Sequence, residues 1–328
     1  MKNLKPLYIG FGATFINILN LDTAMEKVNQ MDIPKGMSAA DLASVMKKSG
    51  VMGAGRIGRA AEIFRQMVQD KDCKVFFGFA GAMVPGGMKN ILIDLLENNV
   101  IDALVITGAN LTHDLIESLG FSHFQGASNA DDKKLHEQKI DRIYDSFMPN
   151  EVYLKLEDFF NEIFDKLPKE TNIKDFLWAI GSFVKQKSIL KICYDKKIPI
   201  FCPAIADSGI GLMIWGKLAA GKKIKVDAFD DMKEIMKMAW DCKKAGVFYV
   251  GGGVPKNFIQ QAMQFAPKGA DYGIQITTDA PQFGGSSGAE LREGISWGKM
   301  SKEGKFVDVY CDATIALPLI WAAVKEKI

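Results

Sequence analysis

The sequence predicts an α/β fold in a single large domain, with a mostly parallel sheet that carries helices on both faces. Five apolar, β-rich runs, at 74–80, 103–107, 198–202, 247–250 and 272–276, are each followed by a turn and a helical pattern. Runs that are apolar on both faces are typical of parallel strands covered on two sides. A sixth strand is predicted over 306–310, before the last helix. The 328 residues are enough for one such domain over 1–328, and no break in composition divides them.

A helical segment of about residues 1–70 is predicted to precede an α/β core over about 71–328. Ser38 is the predicted N-cap of a helix that runs through Lys48. The following G-x-G-x-x-G at 53–58 matches a dinucleotide loop, but that loop requires a preceding strand, and a helix precedes it here. We therefore predict a tight turn before a helix over 59–69. The run 7–21 lacks a convincing cleavage site and predicts an ordered N-terminal segment rather than a secretory leader.

Charge and cysteine content exclude several classes of function. The 41 basic and 39 acidic residues give a net charge of +2, and the lysines are dispersed, so no nucleic-acid partner is predicted. Five dispersed cysteines without a C-x-x-C pair, and only three histidines, favour neither a disulfide framework nor a metal site. A cytoplasmic location is expected. The late apolar run 313–324 is too short to cross a membrane.

The segment 121–148 interrupts the alternation of strands and helices. It is polar and contains two of the three histidines, His123 and His136. This composition predicts a surface excursion, either a lid or a subunit contact. A helix is predicted to resume over 151–167.

Turns of small residues follow three of the predicted strands, at 107–110, 206–209 and 251–253. Ligands of parallel sheets bind outside the carboxyl ends of the strands, where small residues let backbone N–H groups approach a phosphate. Each turn alone is equally consistent with an ordinary strand-to-helix connection. Together they predict a dinucleotide site.

The stretch 284–299 ends in Ser-Trp-Gly-Lys and places Lys299 beside Trp297. A lysine amine attacks carbon only after it has lost its proton, and a reference pKa of about 10.4 leaves almost none of it neutral near pH 7. Burial against an indole disfavours the ammonium, so a lysine of this kind forms imines. The alternative from the residues alone is a solvated loop lysine.

Four stretches occur in a fixed order: G-G-G-V-P-K-N at 251–257, the segment 271–283, S-W-G-K at 296–299 and Y-C-D-A at 310–313. In these stretches, and in 75–87, 103–115 and 199–215, the chain resembles deoxyhypusine synthase. The resemblance covers most of the chain from about residue 50 onward. It implies a Rossmann-like, NAD-binding fold of the deoxyhypusine synthase type.

The resemblance also implies roles for individual residues. Lys299 would be the catalytic nucleophile, and Trp297, Glu293, His113 and Asn257 would bind the substrate. Asp207 and Asp312 would accept hydrogen bonds from ribose hydroxyls, although capping a helix is the alternative role of an aspartate at such positions. The implied contacts to NAD come from Gly81, Thr107, Gly108, Asp207, Gly251, Gly253, Thr278, Ser287, Asp312 and Ala313.

The chemistry implied by the resemblance is NAD-dependent transfer of an aminobutyl group from spermidine. Lys299 would carry that group as an imine until an acceptor amine takes it over. The acceptor would be a lysine of the hypusine-bearing translation factor or, alternatively, putrescine, which gives homospermidine. A homotetramer is also implied. The third alternative, of another class, is an NAD-binding scaffold whose catalysis has lapsed.

The amine-binding positions depart from the family pattern. This chain has His113, Leu212 and Ser286 where the family has acids, and Asn257 where it has a histidine. Because a buried polycation requires carboxylates, amine recognition is expected to be rebuilt here.

Overall fold

The computed structural model describes residues 26–328. The predicted ordered segment over 7–21 lies outside the described residues. The single-domain organisation, with its helical segment and α/β core, stays a prediction. Within residues 26–328, two helices that end at Gln69 precede a strand that begins at Cys73.

A six-stranded parallel sheet forms the centre of the fold, in the order β11-β10-β9-β1-β2-β7. The α/β fold class with a mostly parallel sheet is thereby confirmed. The predicted strands are all present, and β11 begins six residues earlier than expected. Their bounds are β1 Cys73–Phe79, β2 Ala103–Ile106, β7 Ile200–Phe201, β9 Lys244–Val250, β10 Ala270–Thr277 and β11 Met300–Tyr310.

Helices cover both faces of this sheet. Within the described residues, the helices begin with α1 Ala39–Ser49, α2 Met52–Gln69, α3 Lys89–Glu97, α4 Gly108–Ser118 and α5 Asp132–Glu137. They are followed by α6 Val152–Ile163, α7 Ile173–Phe183, α8 Ile189–Lys196, α9 Gly209–Ala219, α10 Phe229–Asp241, α11 Gly253–Phe265, α12 Glu293–Ser296 and α13 Ala313–Lys325.

Alternate residues of each strand enter two different apolar cores, as expected of a sheet covered on both sides. Phe77 of β1 packs in the core that contains Phe64 of α2 and Leu317 of α13. Its neighbour Phe76 packs in the second core, with Ile259 of α11.

The prediction for the first glycine motif was wrong in one respect. Residues 53–58 do not form a turn but lie inside α2, which begins at Met52. Gly55 and Gly58 are required by helix packing, because a Cβ on Gly58 would lie 2.2 Å from the backbone nitrogen of Lys47 in α1. The motif therefore lies where α2 packs against α1. This position inside a helix agrees with the prediction that the motif is not a phosphate loop.

The segment 121–148 folds into a small unit of its own. It contains α5 and a three-stranded antiparallel sheet in the order β3-β5-β4, with β3 Phe124–Gln125, β4 Ile140–Ile143 and β5 Ser146–Pro149. Phe124 and Tyr144 are exposed on it. A role as lid or subunit contact stays a prediction. Elsewhere β6 Glu170–Asn172 pairs in parallel with β8 Lys225–Asp227.

None of the helices within residues 26–328 has the length and apolar character needed to span a membrane. The last helix, α13, instead buries Leu317, Ile320 and Trp321 in the core.

Candidate cofactor and lysine site

The order of the strands creates a switch point between β1 and β9. From β1 the chain proceeds to β2 and β7 on one side, then returns to β9, β10 and β11 on the other side. The connections that leave the carboxyl ends of β1 and β9 therefore diverge, which opens a crevice at this edge of a parallel sheet.

A cavity of about 390 Å³ lies at this crevice. It brings together seven of the ten residues predicted to contact NAD: Gly81, Gly251, Gly253, Thr278, Ser287, Asp312 and Ala313. We call it the cofactor cavity. It also contains Asp279 and Cys311, which the sequence did not suggest.

The backbone around Gly252 has the close approach that a dinucleotide cradle requires. A Cβ on Gly252 would lie 2.4 Å from the Cα of Ser287, and Gly251 and Gly253 have φ angles of +70° and +56°. Helix α11 begins at Gly253, so its N-terminus points its positive end toward the cavity wall. These features fit a bound pyrophosphate.

Asp312 caps the N-terminus of α13, which is the alternative role that the sequence predicted for it. Its Oδ1 accepts hydrogen bonds from the backbone N–H of Thr314, at 2.7 Å, and from the Thr314 hydroxyl, at 2.6 Å. Asp312 is nevertheless exposed and lines the cofactor cavity, so capping and a ribose contact are compatible.

Thr107, Gly108 and Asp207 lie outside the residues that line the cofactor cavity. Thr107 is connected to it indirectly, because the Nδ2 of buried Asn110 donates both to the Thr107 hydroxyl, at 2.9 Å, and to the carbonyl of Gly81, at 2.8 Å. Gly108 packs against Ser208, the N-cap of α9. Asp207 is exposed at the turn before that helix.

A second, smaller cavity of about 140 Å³ surrounds Lys299, and we call it the lysine cavity. It contains four of the five residues predicted for catalysis and substrate binding: Lys299, Trp297, Glu293 and Asn257. Ser286 also lines it.

Lys299 and Trp297 are in contact, as their spacing suggests. The Nζ of Lys299 lies 4.9 Å from the centroid of the Trp297 ring. Trp297 is 56% exposed and Lys299 is half-buried, so the deep burial expected of Lys299 is absent from a single chain. The turn at Gly298, with φ of +72°, brings the two side chains together.

Two carboxylates line the lysine cavity, Glu290 and Glu293. Glu290 already accepts from the Tyr310 hydroxyl, at 2.9 Å, and pairs with Arg292 at 2.9 Å. Glu293 is exposed at the start of α12. Glu293 is therefore the carboxylate better placed to hold an ammonium group of a substrate.

His113 does not join the other predicted residues. It lies on α4, and its Nδ1 is 2.9 Å from the Nε2 of His123. His123 in turn contacts Glu117 at 2.9 Å. The pKa of His113 is lowered to about 4, chiefly by burial and also by the neighbouring His123, against the opposing effect of Glu117. Within one chain His113 is therefore a neutral partner of His123 outside the lysine cavity.

Leu212, another position where amine recognition departs from the family pattern, does not line this cavity either. It is 58% exposed on α9, close to exposed Trp215. Within the described residues, no group of three or more histidine, cysteine, aspartate or glutamate side chains is arranged to hold a metal ion.

Lys256 is a residue of the lysine cavity that the sequence reasoning missed. It is 2% exposed, and its Nζ donates to the carbonyls of Ser286, at 2.7 Å, and Ala289, at 2.6 Å. The helical periodicity of α11 could have identified it. Its spacing to three buried residues of that helix, Ile259, Gln260 and Met263, is that of one helix face.

The two cavities share a wall, the turn 286–289. Ser287 lines the cofactor cavity, whereas Ser286 and Ala289 line the lysine cavity. The turn is fixed from several sides: Ser287 Oγ accepts from the Gly253 N–H at 2.9 Å, and the Ser287 carbonyl accepts from Gln275 at 2.7 Å. A cofactor in one cavity and an amine at Lys299 in the other are thus separated by a single turn of backbone.

Comparisons with known proteins agree on one family. The family model described as deoxyhypusine synthase matches residues 41–324. A protein of Methanosarcina acetivorans named "Probable deoxyhypusine synthase 1" is 45% identical over 278 residues, which cover 84% of this chain and 87% of that protein. An Archaeoglobus fulgidus protein of the same name is 41% identical over 302 residues, covering 92% of this chain and 98% of that protein.

Among solved structures, the chain is similar to a protein of Entamoeba histolytica provisionally described as a deoxyhypusine synthase. The TM-score is 0.60 at 19% identity, and the match covers 92% of this chain and 97% of the other. At this identity the likeness concerns the fold alone. From the family model and the archaeal relatives together, the chain belongs to the deoxyhypusine synthase family.

Proposed function

We propose that this protein is an NAD-dependent aminobutyl transferase that uses spermidine as the donor and Lys299 as the nucleophile. Family membership supports a transferase. The observation that carries the finer assignment is the arrangement of the two cavities, since a glycine cradle and a tryptophan-flanked lysine stand on opposite sides of the turn 286–289. Redox chemistry and covalent catalysis on one substrate require such a juxtaposition.

The cofactor cavity would hold NAD, with the pyrophosphate at Gly251–Gly253 and Asp312 available to the ribose. When bound, NAD supplies the acceptor of a hydride in the first step and the donor of that hydride in the last. Ser287 and Thr278 would orient it.

Lys299 performs the covalent steps in this proposal. Its neutral amine attacks the carbon that has lost hydride, the bond to the secondary nitrogen breaks, and diaminopropane leaves with that nitrogen. The aminobutyl group then remains on Lys299 as an imine. Attack by an acceptor amine frees Lys299, and hydride addition to the new imine completes the product. Trp297 covers the reacting nitrogen, and Glu293 would bind the terminal ammonium.

The acceptor in the main proposal is a lysine of the hypusine-bearing translation factor. Transfer to putrescine is the second candidate, and the small volume of the lysine cavity, about 140 Å³, favours a small diamine. A non-catalytic NAD-binding scaffold is a weaker alternative, since such a protein would not need Trp297 over Lys299. Action as a cytoplasmic homotetramer, independent of nucleic acid and membranes, is part of the proposal.

Incubation of the purified protein with NAD and spermidine tests this function, in parallel reactions with the translation factor, with putrescine or with neither. Product analysis should find diaminopropane and an aminobutylated acceptor in one of the first two reactions. Absence of diaminopropane from all three reactions, in a folded protein that binds NAD, would leave the scaffold alternative.

A further inference from the structure

Lys256 has a buried ammonium group that donates hydrogen bonds to backbone carbonyls. Its Nζ lies 2.7 Å from the Ser286 oxygen and 2.6 Å from the Ala289 oxygen. These two carbonyls stand at the two ends of the turn that separates the cofactor cavity from the lysine cavity. Lys256 thus bridges α11 and this turn from the wall of the lysine cavity.

Burial of this charge is unfavourable for stability. The pKa of Lys256 is lowered to about 8, chiefly by desolvation and also by nearby Lys299, against the opposing effects of Asp308 and Glu293. A methionine of similar length would fill the same space without a charge to desolvate. Strongly perturbed buried lysines are concentrated at functional sites, which suggests that the charge here has a role beyond packing.

We propose that Lys256 is a positioning residue that holds the turn 286–289 against α11 and thereby fixes the cofactor relative to Lys299. This inference rests on the function proposed above. The hydrogen bonds from an ammonium are stronger than those from a neutral donor, so the turn is held more firmly while Lys256 is charged.

The effect reaches both cavities because the turn is tied to the helix at a second place. Ser287 Oγ accepts from the Gly253 N–H at 2.9 Å, and Ser286 Oγ donates to the Gly253 carbonyl at 3.3 Å. With Lys256 removed, these two contacts to Gly253 would be the remaining hydrogen bonds between the turn and α11. The Ser287 carbonyl would still accept from Gln275 and Thr277 of β10. Both the phosphate cradle and the wall beside Lys299 would then loosen.

The charge on Lys256 also predicts a dependence on pH. The charged groups that act on it are Asp308 of β11, Glu293 of α12 and Lys299 before β11. Glu290, directly after the turn, is paired with Arg292. As the pH rises through about 8, Lys256 loses its proton and its two hydrogen bonds weaken. Affinity for NAD should decrease over the same interval.

Lys256→Met in the full chain tests the proposal, with Lys174→Met as a matched control. Lys174 is also buried, but on α7, where it pairs with Glu234 at 2.7 Å. Two quantities are measured: the NAD dissociation constant from pH 6.5 to 9.5, and amide hydrogen exchange in the peptide 284–290 without cofactor. Lys256→Gln, which keeps N–H donors but has no charge, replaces the methionine variant if the latter fails to fold.

The proposal expects Lys256→Met to raise the NAD dissociation constant about 10-fold or more and to speed exchange in 284–290. The wild-type constant should increase through pH 8, and those of the methionine and glutamine variants should not. Lys174→Met should match wild type in all three respects. A folded Lys256 variant with wild-type affinity, pH profile and exchange would overturn the proposal. Failure of the wild type to bind NAD would instead overturn the proposed function, and the exchange measurement would still decide whether Lys256 positions the turn.

Discussion

Ser287 accepts a hydrogen bond of 2.9 Å from the backbone N–H of Gly253 and thereby ties the start of α11 to the turn between the two cavities. The hydroxyl satisfies one of the N–H groups that a helix N-terminus leaves without an intrahelical partner. The same residue lines the cofactor cavity. Cofactor binding is therefore expected to depend on this contact.

Ser287→Ala should weaken NAD binding about 5- to 10-fold, as expected for loss of a capping hydrogen bond in a partly buried site. Isothermal titration calorimetry with NAD would measure the change. Ser182→Ala is the control, because the Ser182 hydroxyl is exposed and contacts only the Ala179 carbonyl within α7. Equal affinity in the two variants would show that Ser287 has no part in the cofactor site.

Gly252→Ala should abolish measurable NAD binding. The added Cβ would lie 2.4 Å from the Cα of Ser287, so the turn must move and the cradle must close or deform. Gly216→Ala in α9 is the control, since nothing lies within 4 Å of its Cβ. Calorimetry with NAD and NADP on both variants checks this, and tight binding by Gly252→Ala would place the phosphates elsewhere.

Gly58→Ala should lower the free energy of unfolding by about 1–3 kcal/mol, because the methyl group overlaps the backbone of α1. NAD affinity per folded molecule should not change, since the residue packs two helices. Gly53→Ala, with open space around its Cβ, should have little effect. Denaturant unfolding and calorimetry measure the two quantities. A loss of NAD binding in folded Gly58→Ala would show that the first glycine motif is part of the cofactor site.

The stability of the wild type should rise with pH in a window set by Lys256. Its pKa is about 8 in the folded protein, against 10.5 for an unperturbed lysine, so between these values the unfolded state binds more protons. Relative to Lys256→Met, the wild type should gain about 3 kcal/mol of unfolding free energy as the pH rises from 8 to 10.5. Urea unfolding of both proteins over this range measures the gain. A constant difference would mean that Lys256 is not desolvated.

Local features of the site could be predicted from the sequence. Lys299 and Trp297 are two residues apart, so their contact follows from one turn of the chain. The strand positions followed from apolar runs, and the glycine turn at Gly251 followed from the strand positions, whereas Gly81 came from the family resemblance. Both glycines line the cofactor cavity because parallel strands end at one edge of the sheet.

Contacts between distant parts of the chain could not be predicted in this way. Lys256 meets carbonyls about thirty residues further along, and no periodic pattern identifies a backbone oxygen as its partner. The burial expected of Lys299 is found at Lys256 instead. The glycines of α2 were predicted to form a tight turn for a related reason, because the sequence does not show that they pack against the backbone of α1.

Trapping the intermediate on Lys299 tests most directly whether this residue is the nucleophile. Sodium borohydride is added during turnover with NAD and spermidine, and the mass of the peptide that contains Lys299 is measured by mass spectrometry. Lys299→Arg is the paired variant, because its guanidinium stays protonated and cannot form an imine. Covalent catalysis by Lys299 predicts an aminobutyl adduct on Lys299 in the wild type, and an arginine variant that binds NAD but transfers nothing. Transfer by the arginine variant at close to the wild-type rate, with no adduct on the wild-type peptide, would contradict it.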